Sequence, residues 1–233
     1  MATSPKKRLA LIPARGGSKR IPKKNIKNFL GRPIILRVLE EVSKSAQFDE
    51  IHVSTDCPEI FELVSDAGFV PAFYRDKSLA DDHSNLADVV SFVVSEMEQR
   101  RKTFDTIMLI FPTAFNLSAE IIVDALVALE SDPRELQVLS VARFDVPIQW
   151  AMSLTENDIL LPMFPEKLNI RSQDLVEMFH ESADFVIYRA SSYQRSNLQK
   201  KGYIVPYDSV DIDTEKDWRF AEALFSQKLM GNE

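Results

Sequence analysis

The chain has 233 residues, 45% of them hydrophobic and 27% charged, with a net charge of −7. That length supports one α/β domain with a real core, and the composition is ordinary for a globular protein. The acidic balance argues against a nucleic-acid partner, which would call for a basic surplus, and no apolar run approaches the roughly 18 residues of a membrane span. Met1 to Arg8 is polar and basic and lacks both the hydrophobic stretch and the cleavage site of a signal peptide, so a cytoplasmic location is expected. Cys57 is the only cysteine; it permits no internal disulfide and fits a reducing compartment. It reads as a small residue at a helix start rather than a nucleophile, because no histidine adjoins it. His52, His83 and His180 have no metal-site spacing.

Strand-like and helix-like runs alternate along the chain. Leu9 to Ala14 reads as a buried strand, and Pro33 to Ser45 as a helix with proline in its first turn. Ile51 to Ser54 is the next strand. Asp56 is placed to cap the following helix, with Glu59 three residues on and Gly68 closing it. Val70 to Tyr74 reads as a short strand, Leu86 to Arg101 as a helix, Thr106 to Phe111 as a strand and Ser118 to Glu130 as a helix. Strands at Val138 to Val141 and Phe185 to Tyr188 and a terminal helix at Glu215 to Leu229 complete the pattern. The alternation predicts an α/β fold: a mostly parallel twisted sheet with helices on both faces, in a single domain spanning residues 1–233. Ligands of such sheets bind beyond the carboxyl ends of the strands. Residues 145–182, with Pro147, Pro162 and Pro165, break the alternation and read as a small insertion, either a lid on the site or a contact to a second subunit.

The most informative segment follows the first strand directly: Ile12-Pro13-Ala14-Arg15-Gly16-Gly17-Ser18-Lys19-Arg20-Ile21-Pro22-Lys23-Lys24-Asn25. Two glycines permit a tight turn that presents backbone N–H groups to an anion. Arg15, Lys19, Arg20, Lys23 and Lys24 add five cations, a concentration suited to a triphosphate. The spacing is neither a Walker A loop nor a dinucleotide fingerprint. A solvated basic turn is the plainer reading of such a run. Near the other end, Asp211 and Asp213 lie two apart, which in an extended segment aims both carboxylates to one face. That is a hard oxygen site suited to Mg²⁺. The competing reading is structural: Asp213 or Thr214 caps the terminal helix, and Asp217 stabilises its first turn.

The string from Ile12 to Asn25 resembles the signature of the acylneuraminate cytidylyltransferase family, the CMP-sialic acid synthetases. The resemblance continues through Asn28-Phe29-Leu30-Gly31-Arg32-Pro33-Ile34-Ile35, Val53-Ser54-Thr55-Asp56, Arg75-Asp76-Lys77-Ser78-Leu79-Ala80-Asp81-Asp82 and Asp211-Ile212-Asp213-Thr214. It implies a nucleotide-diphospho-sugar transferase-like fold and a reaction between CTP and an acidic nine-carbon sugar, in which CMP is joined to the sugar's anomeric hydroxyl and pyrophosphate leaves. It also implies that Ala14, Arg15, Gly16, Gly17, Ser18, Lys24 and Asn25 bind the nucleotide, with Arg75 near the cytosine. Asp211 and Asp213 would hold Mg²⁺, or Mn²⁺ in its place. Arg15, Lys24, Asp211 and Asp213 would act in catalysis, and members of the family are commonly homodimers.

On the acceptor side, Val146-Pro147-Ile148-Gln149, Met163-Phe164-Pro165-Glu166, Arg171-Ser172-Gln173-Asp174-Leu175 and Phe179-His180 resemble the pseudaminic acid branch of the family more than the sialic acid branch. This implies acceptor contacts from Phe111, Thr113, Gln149, Arg171, Gln173 and His180, with Arg171 the natural partner for the sugar carboxylate. The chain departs from that branch after His180, where Glu181-Ser182-Ala183-Asp184-Phe185 stands in place of Asp-Ala-Gly-Gln-Phe. Phe111 replaces a glutamine of the sialic branch, and Ala114-Phe115-Asn116 follows Thr113 where the family has Ala-Pro-Phe or Ser-Pro-Leu. Two other readings remain at this point. One is a DxD glycosyltransferase, in which the acidic triplet ordinarily follows a mid-chain strand. The other is a nucleotide-binding paralogue without turnover.

Overall fold

The computed structural model describes residues 6–80, 85–195 and 197–231. Asp81 and Asp82 of the resemblance string, His83 and the first five residues lie outside them. Six strands form the central sheet. β1 (Arg8–Pro13), β4 (Glu50–Ser54), β5 (Thr106–Ile110), β6 (Leu136–Arg143), β9 (Phe179–Arg189) and β10 (Gln199–Ile204) run in the order β10-β6-β9-β5-β1-β4. Only β9 is antiparallel to its neighbours. Two short pairs lie apart from this sheet: β2 (Asn28–Phe29) with β3 (Arg32–Pro33), and β7 (Met152–Leu154) with β8 (Leu160–Pro162). The helices are α1 (Ile34–Lys44), α2 (Pro58–Asp66), α3 (Leu86–Gln99), α4 (Ala119–Glu130) and α5 (Glu215–Gly231).

The strand side chains divide by parity, as the two-residue period of a strand requires. Ala10, Ile12, Met108 and Ile110 pack on one face against α1, α2 and α4, while Leu9, Leu11, Ile107 and Leu109 pack on the other against α3. Central strands buried on both faces read as continuous apolar runs, which is why β1 and β5 are legible in the sequence. Ser118 and Asn85 cap α4 and α3 through their side chains.

Three expectations are corrected. Val70 to Tyr74 is not a strand. Pro71 has no N–H for a ladder, and the segment's backbone donors go singly, Ala72 N to His52 Nδ1 and Arg75 N to the Thr55 carbonyl. Asp56 does not cap α2; Cys57 occupies that position without a side-chain bond, and the Asp56 carboxylate accepts from the Gly16 N–H instead. β10 lies between Tyr188 and Glu215, where no element is expected, and the β7–β8 hairpin lies inside the segment expected as an insertion. β10 is a sheet edge of composition Gln-Lys-Lys-Gly-Tyr-Ile, the lysine-rich guise edges adopt against unwanted pairing.

His52 is fully buried in β4, its ring 4.4 Å from that of Phe73. Nδ1 accepts from Ala72, so Nε2 carries the proton, and Nε2 has no partner. Burial, helped by Arg75, Arg100 and Lys102, pushes its pKa down from 6.5 to about 3. The unfolded chain therefore takes up a proton below 6.5 that the folded chain refuses, and stability is lost as the pH falls from that value toward about 3. Replacing His52 by Leu should shrink the loss of unfolding free energy between pH 7 and pH 5 by about 2 kcal/mol, read from urea titrations at the two pH values.

Candidate active site

The basic loop leaves β1 and is pinned on both sides. Ala14 N donates to the Ser54 carbonyl at 2.9 Å, continuing the ladder to β4. Asn25, buried in a short 3₁₀ turn at Lys24–Ile26, donates from Nδ2 to the Arg15 carbonyl at 3.0 Å and so closes the loop on itself. Gly16 is required by a close approach: a Cβ there would lie 2.8 Å from the Cβ of Cys57. Gly17 faces open space. Lys23 takes the left-handed conformation at φ 54° and sends its ammonium to Glu59 at 2.7 Å, away from the other cations. Arg75 is buried beneath the loop and donates from Nε to the Ser54 hydroxyl at 3.0 Å. Burial pushes its guanidinium down to about 10, with Asp56 opposing the fall and Arg15 adding to it; it remains charged at neutral pH.

The acidic pair meets this loop from the far end of the chain. Ile212 is fully buried between Asp211 and Asp213 and packs in one cluster with Ile21 of the loop, Phe29, Phe115 and Trp218. Lys24 Nζ donates to the Ile212 carbonyl at 2.6 Å and stands 3.6 Å from Asp213; Arg20 reaches the same carboxylate at 2.7 Å. With the isoleucine buried, the two carboxylates share the opposite face and both line the cleft. The Asp211 carboxyl is pushed upward, first by burial and then by the charge of Asp213. Capping of α5 falls to Thr214, whose hydroxyl accepts from Asp217 N, while the Asp217 carboxylate accepts from Thr214 N and Asp213 N. The Asp213 side chain pairs with cations and has no part in that cap.

The resulting cleft has a volume of about 460 Å³ and opens at the carboxyl ends of β1 and β5. Arg15, Ser18, Lys24, Asn25, Arg75, Phe111, Thr113, Asp211 and Asp213 all line it; Ala14, Gly16 and Gly17 are not in the lining, Ala14 being fully buried in the core where the loop leaves β1. Four expected acceptor residues lie elsewhere in the single chain. Gln149 is buried and donates to the Val176 carbonyl at 2.7 Å, and with the exposed Gln173 it lines a separate cavity of about 310 Å³. Arg171 is exposed and paired with Asp174 at 2.8 Å. His180 packs on Phe144, with ring centroids 5.0 Å apart. The reason is local: residues 145–178 leave the sheet as the β7–β8 hairpin and short turns that do not fold back over the cleft, and the expected insertion ends there, because Phe179 to Ser182 already belong to β9, where His180 pairs with Ala142 of β6.

The opposite wall is made by Leu79, Leu86, Val89 and Pro112, which the sequence does not single out, and by Ala183, where the chain departs from the family pattern. None carries a chemical signal in the sequence except Ala183, whose position the family gives to glycine. That signal is physical: Ala183 stands at φ 57°, a left-handed conformation costing a residue with a Cβ roughly 1–2 kcal/mol. Next to it, Asp184 is buried and its pKa is pushed up to about 6, chiefly by burial.

Two carboxylates on one face, one of them destabilised by the other's charge, are a donor set fit for a divalent cation. No cluster of three or more acidic, histidine or cysteine ligands exists among the described residues. Phosphate oxygens and water would therefore complete the shell.

Cationic loop, acidic pair and cleft at the strand ends together define a nucleotide-handling transferase site on an α/β sheet. The sequence profile of the cytidylyltransferase family matches residues 9–144. A pseudaminic acid cytidylyltransferase of Campylobacter jejuni is 34% identical over 225 residues, 94% of this chain and 96% of the relative. A CMP-N,N'-diacetyllegionaminic acid synthase of Legionella pneumophila is 27% identical over 223 residues, 93% of this chain and 95% of the relative. Among solved structures, a CMP:2-keto-3-deoxy-manno-octonic acid synthetase complexed with CTP superposes with a TM-score of 0.67 at 18% identity, covering 95% of this chain and 99% of that one, a likeness of fold. The chain belongs to the cytidylyltransferase family. No helix among the described residues is long and apolar enough to cross a membrane.

The two glycines differ in a way that binding can detect. Gly16→Ala forces the loop off Cys57 and should weaken CTP binding by about 10-fold or more, whereas Gly17→Ala meets open space and should change it less than about 3-fold, both by isothermal titration.

Proposed function

We propose that the chain transfers CMP from CTP to the anomeric hydroxyl of a nonulosonic acid of pseudaminic or sialic type, releasing pyrophosphate, and that it does so in the cytoplasm. The observation that carries the reading is one cleft shared by loop cations and an acidic pair from opposite ends of the chain. The acceptor class is supported by full-length relatives whose names state it.

The triphosphate lies along the loop, with Arg15, Ser18 and Lys24 as its donors and Asn25 holding the loop closed. Arg75 supports the nucleotide end from below. The acceptor hydroxyl attacks the α-phosphorus; that P–O bond forms as the bond to the β-phosphate oxygen breaks, and the hydroxyl proton passes to solvent water. Arg15 and Lys24 offset the charge that grows on the leaving pyrophosphate. Asp211 and Asp213 would hold Mg²⁺, or Mn²⁺, which would neutralise phosphate charge and favour the ionised hydroxyl. Lys24 is tied to the Ile212 carbonyl, so the cation that meets phosphate is also the one that positions the acidic pair.

Residues 145–182 act in this reading through a second copy. The segment exposes Leu154, Leu160, Leu161, Met163 and Val176, an apolar surface of the kind that marks a protein contact. A homodimer covers it and carries Arg171, Gln173, His180 and Gln149 toward the partner's acceptor.

Asp211→Ala and Asp213→Ala should each lower kcat by at least about 100-fold in a Mg²⁺-dependent pyrophosphate-release assay with CTP. Their melting temperatures should stay close to that of the parent, since Thr214 supplies the helix cap. Full activity in both would remove the metal site from the mechanism. For the dimer, Leu154→Glu with Leu161→Glu should shift the protein to a monomer in sedimentation. Arg171→Lys in the dimer should raise the acceptor KM by about 10-fold while the CTP KM holds.

A further inference from the structure

The wall opposite the phosphate loop is built on an interrupted strand. Along β9, Glu181 pairs with Val141 and Val186 with Leu139, so Ser140 of β6 alone faces the four residues Ser182 to Phe185. A polar knot holds this bulge. The Ser140 hydroxyl accepts from the N–H groups of Asp184 and Phe185 and donates to the Phe185 carbonyl. The Ser182 hydroxyl donates to Asp184 Oδ2 at 2.6 Å, and Ser209 donates to the Ser182 carbonyl at 2.9 Å. The bulge emerges in the cleft at two points. Ala183, at φ 57°, lines it directly. Phe111, also in the lining, donates its N–H to the Asp184 carbonyl at 2.9 Å.

A buried carboxyl between two residues of the cleft wall is costly unless its bonds are used. Here its side chain ties down Ser182 on one side of Ala183, and its backbone seats Phe111 on the other. We propose that Asp184 is the positioning residue of the acceptor wall, holding Ala183 in its left-handed conformation and Phe111 in place, so that acceptor binding depends on it and nucleotide binding does not. The inference rests on the acceptor occupying the side of the cleft away from the loop. It follows that glycine at 183, which adopts positive φ freely, makes the wall less dependent on Asp184.

The test is a set of variants assayed with CTP and pseudaminic acid, with N-acetylneuraminic acid as the second acceptor. Asp184→Ala should raise the acceptor KM by about 10-fold and move the CTP KM less than about 2-fold. Asp184→Asn keeps an acceptor for the Ser182 hydroxyl and should return most of that loss. Asp184→Ala combined with Ala183→Gly should recover acceptor KM further than either side-chain change predicts alone. Backbone amide exchange gives a readout free of turnover. In Asp184→Ala the Phe111 N–H should exchange at least about 10-fold faster, while the Asn25 region is unchanged. If both KM values rise together, or Asn and Ala behave alike, or Phe111 exchange does not move, Asp184 is only part of the core and the proposal is overturned. Should neither sugar be turned over by the parent protein, the acceptor assignment fails by itself, and the exchange measurement still decides whether Asp184 holds the wall.

Discussion

Everything at the site depends on one join between the two ends of the chain. Ile21 of the basic loop and Ile212 of the acidic triplet are buried in one cluster, and Lys24 binds the carbonyl of Ile212 across 188 residues. Burial of two such side chains is worth about 1.5–3 kcal/mol each. The exposed Arg20–Asp213 pair adds little by comparison, because surface ion pairs contribute at most about 1 kcal/mol. The hydrophobic contact therefore holds the join, and the charges ride on it. Alternation does the rest: with Ile212 inward, Asp211 and Asp213 have only the cleft to face.

This join also explains how an acidic protein presents a cationic site. Repulsion between Asp211 and Asp213 and the partial desolvation of Asp211 would oppose bringing two carboxylates together. Arg20 and Lys24 compensate at Asp213, so the loop and the acidic pair stabilise each other's placement. A triphosphate with a divalent cation offers each set its complementary charge, which allows exchange of partners without rebuilding the backbone. The buried Arg75, bonded to Ser54 at the end of β4, sets the depth of the same cleft from the sheet itself.

The β-strands differ in how plainly they could be read, for a reason of burial. β1 and β5 sit between neighbours and between two helical layers, so every position after the first, Arg8 and Thr106, is apolar. β10 is an edge with little apolar content, and the first half of β9 runs beside the exposed segment after residue 145. Neither leaves a period in the sequence. Asp56 illustrates a different limit. Local spacing made it a helix cap, but the loop brought Gly16 within 3.1 Å, and a partner 40 residues away won.

From the sequence alone came the α/β class, the phosphate loop, the acidic pair and the family resemblance, because each is carried by local composition and by spacings of a few residues. The loop side of the cleft was legible for that reason: Arg15, Ser18, Lys24 and Asn25 belong to one continuous loop. Tertiary structure alone decided that Asp211 and Asp213 meet this loop, that Thr214 and not Asp213 caps α5, and that Ala183 lines the far wall in a left-handed conformation. It also set Gln149, Arg171, Gln173 and His180 apart from the cleft of their own chain. Those outcomes depend on contacts between residues far apart in sequence, where packing and desolvation, rather than pattern, select which side chains converge.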